Sequence, residues 1–334
     1  MRIKKRYAFA VFGVVILIFG MLNLGVYLIM TQRLGNNYSG TDQIKMIDVK
    51  RYLPFEKNSD LAKVNSSLKL KDKLPVLDGA AALVPVYASV VNAVYPEGSV
   101  TYEGGSFSDD NYYGENFAAD SKMQYKNTVR GYKAVVDGET DIFFAAAPSD
   151  EQKQYAKDKG VELVYQPVGQ EAFVFFVNEK NPVDNLTVDQ VRDIYGGDVQ
   201  NWADVGGANR VINPVTRLKG SGSQTVMDKF MGKRKIAPKS PLAFTGASIG
   251  FSFRYYLNDM VGNQAVKMIS LNGVYPNTEN IKNGSYPLVY QFYAVYRKDN
   301  QNENVKKLID WTLSSEGQDL IEQCGYAGIN TNIQ

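Results

Sequence analysis

The segment Arg217-Leu-Lys-Gly-Ser-Gly-Ser-Gln-Thr225 concentrates the groups best suited to holding an anion. Arg217 is a permanent cation whose planar guanidinium offers a two-pronged fork to an oxyanion. Four residues on, Ser221 and Ser223 bring hydroxyl donors, and Gly222 between them has no Cβ to keep a ligand away from the backbone. Residues 224–231 read as a helix. The first turn of a helix carries N–H groups with no partner inside it, at the positive end of the helix dipole. These parts together make a cradle for a tetrahedral oxyanion. A glycine-rich turn with a serine cap needs the same residues, so the segment alone leaves both readings open.

Other chemistry is limited by what the chain lacks. Among its 334 residues there is no histidine and one cysteine, Cys324. The Ser-His-Asp triad, histidine-based zinc sites and the commonest general base are therefore excluded, while a Ser-Lys pair or a carboxylate mechanism stays chemically open. One cysteine cannot form an intrachain disulfide, and Cys324 reads as a small buried hydrophobe in the last helix. Asp78 and Glu171 are the acids expected nearest a cleft, in hinge or helix-cap roles. The chain carries 37 basic and 35 acidic residues. Arg2, Lys4, Lys5 and Arg6 precede an uncharged apolar run, which leaves 33 basic against 35 acidic residues beyond it. Such a balance gives no clustered basic face for nucleic acid.

The elements that must position these residues follow from hydrophobic periodicity. Residues 7–30 form a run long enough to cross a bilayer as a helix, and the basic flank places residues 1–6 in the cytoplasm and the rest outside. A cleaved, secreted form is the alternative. Residues 31–73 are polar with scattered apolar positions and read as a stalk that packs partly, and loosely, on the body. Leu74-Pro-Val-Leu-Asp78 predicts a short strand, Gly79-Ala-Ala-Ala82 a tight turn, and residues 84–94 an apolar helix. A glycine- and tyrosine-rich loop is expected over 103–116, a strand over 123–126, a helix over 129–136 and a strand over 140–145. Pro148-Ser-Asp-Glu151 opens another helix. This alternation indicates an α/β fold with a mostly parallel sheet.

Residues 171–177 are a continuous apolar run, as in a strand buried on both faces. A second unit begins near Asn181-Pro182, with Thr187 capping a helix that stops at Gly196-Gly197. A strand over 211–216 places Arg217 just beyond its end, the usual position of an anion loop in an α/β sheet. Residues 286–296 predict a tyrosine-rich strand and 304–323 one long amphipathic helix.

Several of these segments, taken in order, resemble the phosphate-binding proteins of bacterial ABC transporters, which have the type II periplasmic-binding fold. They are Leu77-Asp-Gly-Ala-Ala-Ala-Leu-Val-Pro85, Asn127-Thr-Val-Arg-Gly-Tyr-Lys133, Thr140-Asp-Ile-Phe-Phe-Ala-Ala-Ala-Pro148, residues 171–194, the Arg217 loop, residues 277–288 and Gly325-Tyr326. The resemblance covers residues 74–329. It implies two lobes, 74–178 with 280–334 and 179–279, closing on an oxyanion, most simply phosphate, in a dry cleft.

By this resemblance Arg217 stands for the family's cation, and Ser221, Gly222 and Ser223 stand for its hydroxyl and backbone donors. Thr128 takes the place of a ligand-contacting serine. Ala81 and Ala82 lie where relatives have a hydroxyl residue and a neighbour donating its N–H, so only backbone donors remain there. Ala146 replaces an aspartate that accepts a proton from a protonated phosphate. The loss of one hydrogen bond to a charged ligand costs roughly 1.5–3 kcal/mol.

The expected protein is a membrane-anchored, extracytoplasmic receptor, monomeric, without cofactor or metal, that passes phosphate to the permease subunits of an ABC transporter and performs no catalysis. A ligand-free sensing, adhesion or scaffold domain on the same fold is the alternative. A phosphate-ester hydrolase is a third reading.

Overall fold

The structure, a computed structural model, describes residues 47–107, 113–238, 247–257 and 265–329. The apolar span expected over residues 7–30 lies outside them. Among the described residues no helix is long and apolar enough to cross a membrane. The described residues within 47–106 and 114–329 group into one compact unit.

The first part of the chain forms β1 (Leu77–Gly79), α1 (Val84–Val94), β2 (Tyr102–Phe107), β3 (Tyr113–Phe117), α2 (Asn127–Asp137), β4 (Ile142–Ala146), α3 (Asp150–Asp158) and β5 (Leu163–Asn178). Next come β6 (Asn185–Leu186), α4 (Val188–Gly196), β7 (Ile212–Pro214), α5 (Gly222–Met231), β8 (Ala247–Phe253), β9 (Val266–Met268) and β10 (Ser270–Leu271). The chain closes with α6 (Thr278–Lys282), β11 (Val289–Arg297), α7 (Glu303–Leu313) and α8 (Ser315–Gln323).

Seven strands make the main sheet, in the order β1-β4-β11-β5-β8-β7 with β9 also on β5. The sheet is mixed, not mostly parallel. Only β1 with β4 and β7 with β8 run parallel. A helical crossover makes a parallel pair only when its two strands end up adjacent. Here β11, arriving from the far end of the sequence, separates β4 from β5 and pairs antiparallel with both. β5 is the axis of the sheet. Its first ten residues, Leu163 to Ala172, lie along β11, and Phe173 to Val177 lie along β8.

The apolar character of α1 requires burial all round. One side meets β1 and the other is covered by residues 47–70, where Val49, Tyr52, Leu61 and Leu70 are buried. Phe55 N–H donates to Asn92 at 2.8 Å, Ala62 N–H to Ser89 at 3.1 Å, and Leu70 N–H to the Val94 carbonyl at 3.0 Å. This part of the predicted stalk is thus tightly packed, and each valine so covered contributes on the order of 1.5–3 kcal/mol. Cys324, just after α8, is buried on the same helix. Its thiol lies 3.4 Å from both the Pro85 carbonyl and the Ser89 hydroxyl, and burial pushes its pKa up to about 12.

Three further expectations are corrected. Of the loop expected over 103–116, the described part is strand: β2 pairs with β3, Tyr102 packs edge-on to Phe117, and its hydroxyl donates to Glu115 at 2.5 Å. Aromatic cross-strand contact overrides the glycine signal there. The strand over 123–126 reduces to one bridge, Met123 to Leu77. The long C-terminal helix is two, because Ser314 is extended and caps α8.

Candidate functional site

α2 is set down on the sheet by Gly131. A Cβ at that position would lie 2.4 Å from the Phe143 ring of β4, closer than real side chains approach. The helix start is tied to β1 through Asp78, whose Oδ1 accepts from Gly79 N–H at 2.7 Å and from Lys126 N–H at 3.0 Å. Asp78 is fully buried, and that burial pushes its pKa up to about 6 against the pull of these two amides. Residues Ala81–Leu83 form a short 3₁₀ turn, and the Ala82 carbonyl accepts from the Tyr326 hydroxyl.

On the other side, β7 ends at Pro214 and the predicted anion loop follows. Ser221 caps α5, its hydroxyl accepting from Gln224 N–H at 3.3 Å. Gly222 and Ser223 then supply the first two amides of α5, which by helix geometry have no intrahelical acceptor. Gln224 is buried, and its side chain closes the loop by accepting from Arg217 N–H at 2.8 Å and donating to Asp228 at 2.8 Å. Arg217 is half-buried, with its guanidinium against the Tyr256 hydroxyl. Burial pushes that phenol up to about 12, and Arg217 pulls the other way. Nearby, Asp228 accepts from the Gln224 amide, while Asp184 pairs with Lys267.

The loop and the start of α2 meet. A Cβ on Gly222 would stand 3.7 Å from Thr128 Oγ1 and 3.9 Å from the Phe253 ring, and one on Gly220 would stand 3.5 Å from Val129. Around this meeting point Lys219 pairs with Glu151 at 2.7 Å, and Lys229 donates to the Pro148 carbonyl at 3.2 Å. Beneath it lies a cavity of about 20 Å³ whose walls include Ala82, Ala146, Glu171, Gly222 and Phe253. That volume has room for about one water molecule.

The predicted residues Ala81, Ala82, Thr128 and Gly222 thus share one neighbourhood. Arg217, Ser221 and Ser223 stand on the loop that delivers Gly222 to it. Glu171 is held in the cavity wall by Arg254 at 3.2 Å, by Ala172 N–H at 2.8 Å and by Tyr255 N–H at 3.2 Å. Burial raises its pKa while the Arg254 charge opposes the rise. Glu171 sits on β5 where pairing passes from β11 to β8.

Asn127, Gln224, Arg254 and Tyr256 were missed. For Gln224 a signal existed, because Ser221-Gly-Ser-Gln224 has capping-box spacing. Here the glutamine turns to the loop and accepts from Arg217. Among the described residues there is no group of His, Cys, Asp or Glu side chains that could hold a metal ion.

With this geometry in view, comparison with known proteins is informative. A family profile described as "PBP superfamily domain" matches residues 108–316, more than half of the chain. The chain belongs to the PBP superfamily. The "Phosphate-binding protein PstS" of Staphylococcus epidermidis is 30% identical over 219 residues, covering 60% of this chain and 67% of that protein. The protein of the same name from Borreliella burgdorferi is 27% identical over 180 residues. That match covers 48% of this chain and 64% of the relative, a little under two thirds of its length. In fold, the chain is similar to a crystal structure from Clostridium perfringens, titled as a phosphate ABC transporter substrate-binding protein with bound phosphate. There the TM-score is 0.56 at 23% identity, over 76% of this chain and 99% of that one. This PBP-superfamily fold places two helix starts, α2 and α5, at one point.

Proposed function

We propose that this chain is the phosphate receptor of an ABC transporter, held at the outer face of a membrane by residues 7–30. Two lobes, 74–178 with 280–334 and 179–279, close on the anion, and β5 passes through the hinge at Glu171. Phosphate is held by Arg217, by the hydroxyls of Ser221, Ser223 and Thr128, and by backbone N–H groups at Gly222, Ala81 and Ala82. The receptor hands phosphate to permease subunits and catalyses no reaction. One observation carries this reading: the Arg217 loop brings Gly222 so near Thr128 that a Cβ added to the glycine would stand 3.7 Å from the Thr128 hydroxyl, so two helix N-termini face one small space. The likeness to proteins named for phosphate binding supports the choice of anion.

Calorimetric titration of the full-length chain, in detergent, with phosphate and with sulfate tests it. Phosphate should give a saturable heat that Arg217→Ala abolishes. No heat with either anion, and no rise in melting temperature, would overturn it.

A ligand-free scaffold is the second reading, favoured by the apolar cavity wall at Ala82, Ala146 and Phe253. Such a scaffold would melt at the same temperature with and without phosphate, and Arg217→Ala would leave it unchanged.

A further inference from the structure

Two donors assigned to phosphate, the Thr128 hydroxyl and the Ala81 N–H, already converge on one atom together with the Thr128 N–H. Thr128 N–H lies 2.7 Å from Asn127 Oδ1, Thr128 Oγ1 lies 3.3 Å from it, and Ala81 N–H, from a separate segment of the chain, lies 3.4 Å from it. An oxygen acceptor approached by three donors from two loops is what one oxygen of a bound oxyanion would present. Asn127 reaches this place with φ at 58°, a left-handed conformation that asparagine tolerates better than most residues. Gly222 lies beside the same Thr128 hydroxyl.

We propose that the Asn127 carboxamide oxygen is an internal ligand, occupying part of the anion's donor set, which phosphate must displace to bind. This inference rests on reading the chain as a phosphate receptor. It makes Asn127 a specificity-determining residue. A neutral amide oxygen is a weaker acceptor than a charged one. A fully charged oxyanion therefore gains by the exchange, whereas a neutral hydroxyl-bearing solute offers nothing better than the amide already in place. Every ligand meets the same competition, and only charge overcomes it.

Two substitutions at this position separate competition from simple support of the loop. Asn127→Gly removes the acceptor and adopts the positive φ without strain. Asn127→Asp keeps an acceptor of the same shape but gives it a negative charge. Titration of the full-length protein with inorganic phosphate should show Asn127→Gly binding roughly three- to tenfold more tightly than wild type, the worth of the hydrogen bonds no longer competing. Asn127→Asp should fold, with circular dichroism like the wild type, and bind at least about tenfold more weakly.

If Asn127 only props the loop, Asn127→Gly weakens binding and Asn127→Asp does not; either result overturns the proposal. Unchanged affinity in Asn127→Gly overturns it as well. Should the wild type take up no phosphate while Asn127→Gly does, the competition is upheld and the wild-type receptor reading falls. If both are silent, both fall.

Discussion

Asp78 shows what one buried carboxyl does to this part of the molecule. Its Oδ1 joins β1 to the start of α2, while Oδ2 is buried with no hydrogen-bond partner. The folded pKa of about 6 lies above the ordinary 3.8, so the folded state binds the proton more tightly than the unfolded chain does. Between these two values stability therefore rises as pH falls. Above pH 6 the ionised carboxylate costs the fold about 3 kcal/mol. Asn at this site keeps the acceptor and loses the charge. Urea unfolding at pH 7 should find Asp78→Asn more stable than wild type by about 1–3 kcal/mol, with the advantage shrinking towards pH 4. From sequence Asp78 is an acid expected near a cleft, in a hinge or helix-cap role. No local signal hints that one oxygen goes without a partner, which depends on how strands from distant segments close over it. The Arg217 loop was legible for the opposite reason, since its cation, glycine and hydroxyls lie within nine residues. Asn127 meets Ala81 and Tyr256 meets Arg217 through contacts that no local spacing encodes.

At the scale of elements, α2 illustrates how packing fixes a functional end. Gly131 is an unfavourable helix residue by about 1 kcal/mol, and it is there because Phe143 leaves no space for a side chain. In Gly131→Val the new methyls would push α2 away from β4. Denaturation should report a loss of about 1–3 kcal/mol, and calorimetry a weaker phosphate affinity, because Thr128 moves with the helix. The ends of α2 and α4 were readable to within a residue or two. Thr187 and Gly197 bracket α4, and Gly138 ends α2 in the left-handed conformation. Strand partners were not readable in the same way. The insertion of β11 between β4 and β5 joins residues well over a hundred positions apart, and only the assembled sheet decides it.

At the scale of the compact unit, α1 packs beside β1. It carries the Ala81–Leu83 turn at one end and is covered by residues 47–70 and by α8. Cys324 reports on that packing, because its thiol is sealed against Pro85 and Ser89. Thiol reagents should therefore react only when the unit opens. Phosphate at a hundred times its dissociation constant should slow labelling about 100-fold if opening releases the ligand, whereas an equal labelling rate with and without phosphate would detach this packing from the proposed site.

The same sealed thiol has a practical side. Since Cys324 is the chain's one cysteine, the natural sequence is already a background for attaching a single dye. Leu218 and Val129 are exposed, one on the Arg217 loop and one in the first turn of α2. A fluorophore on Leu218→Cys or Val129→Cys would stand at the mouth of the proposed site and turn its opening and closing into light.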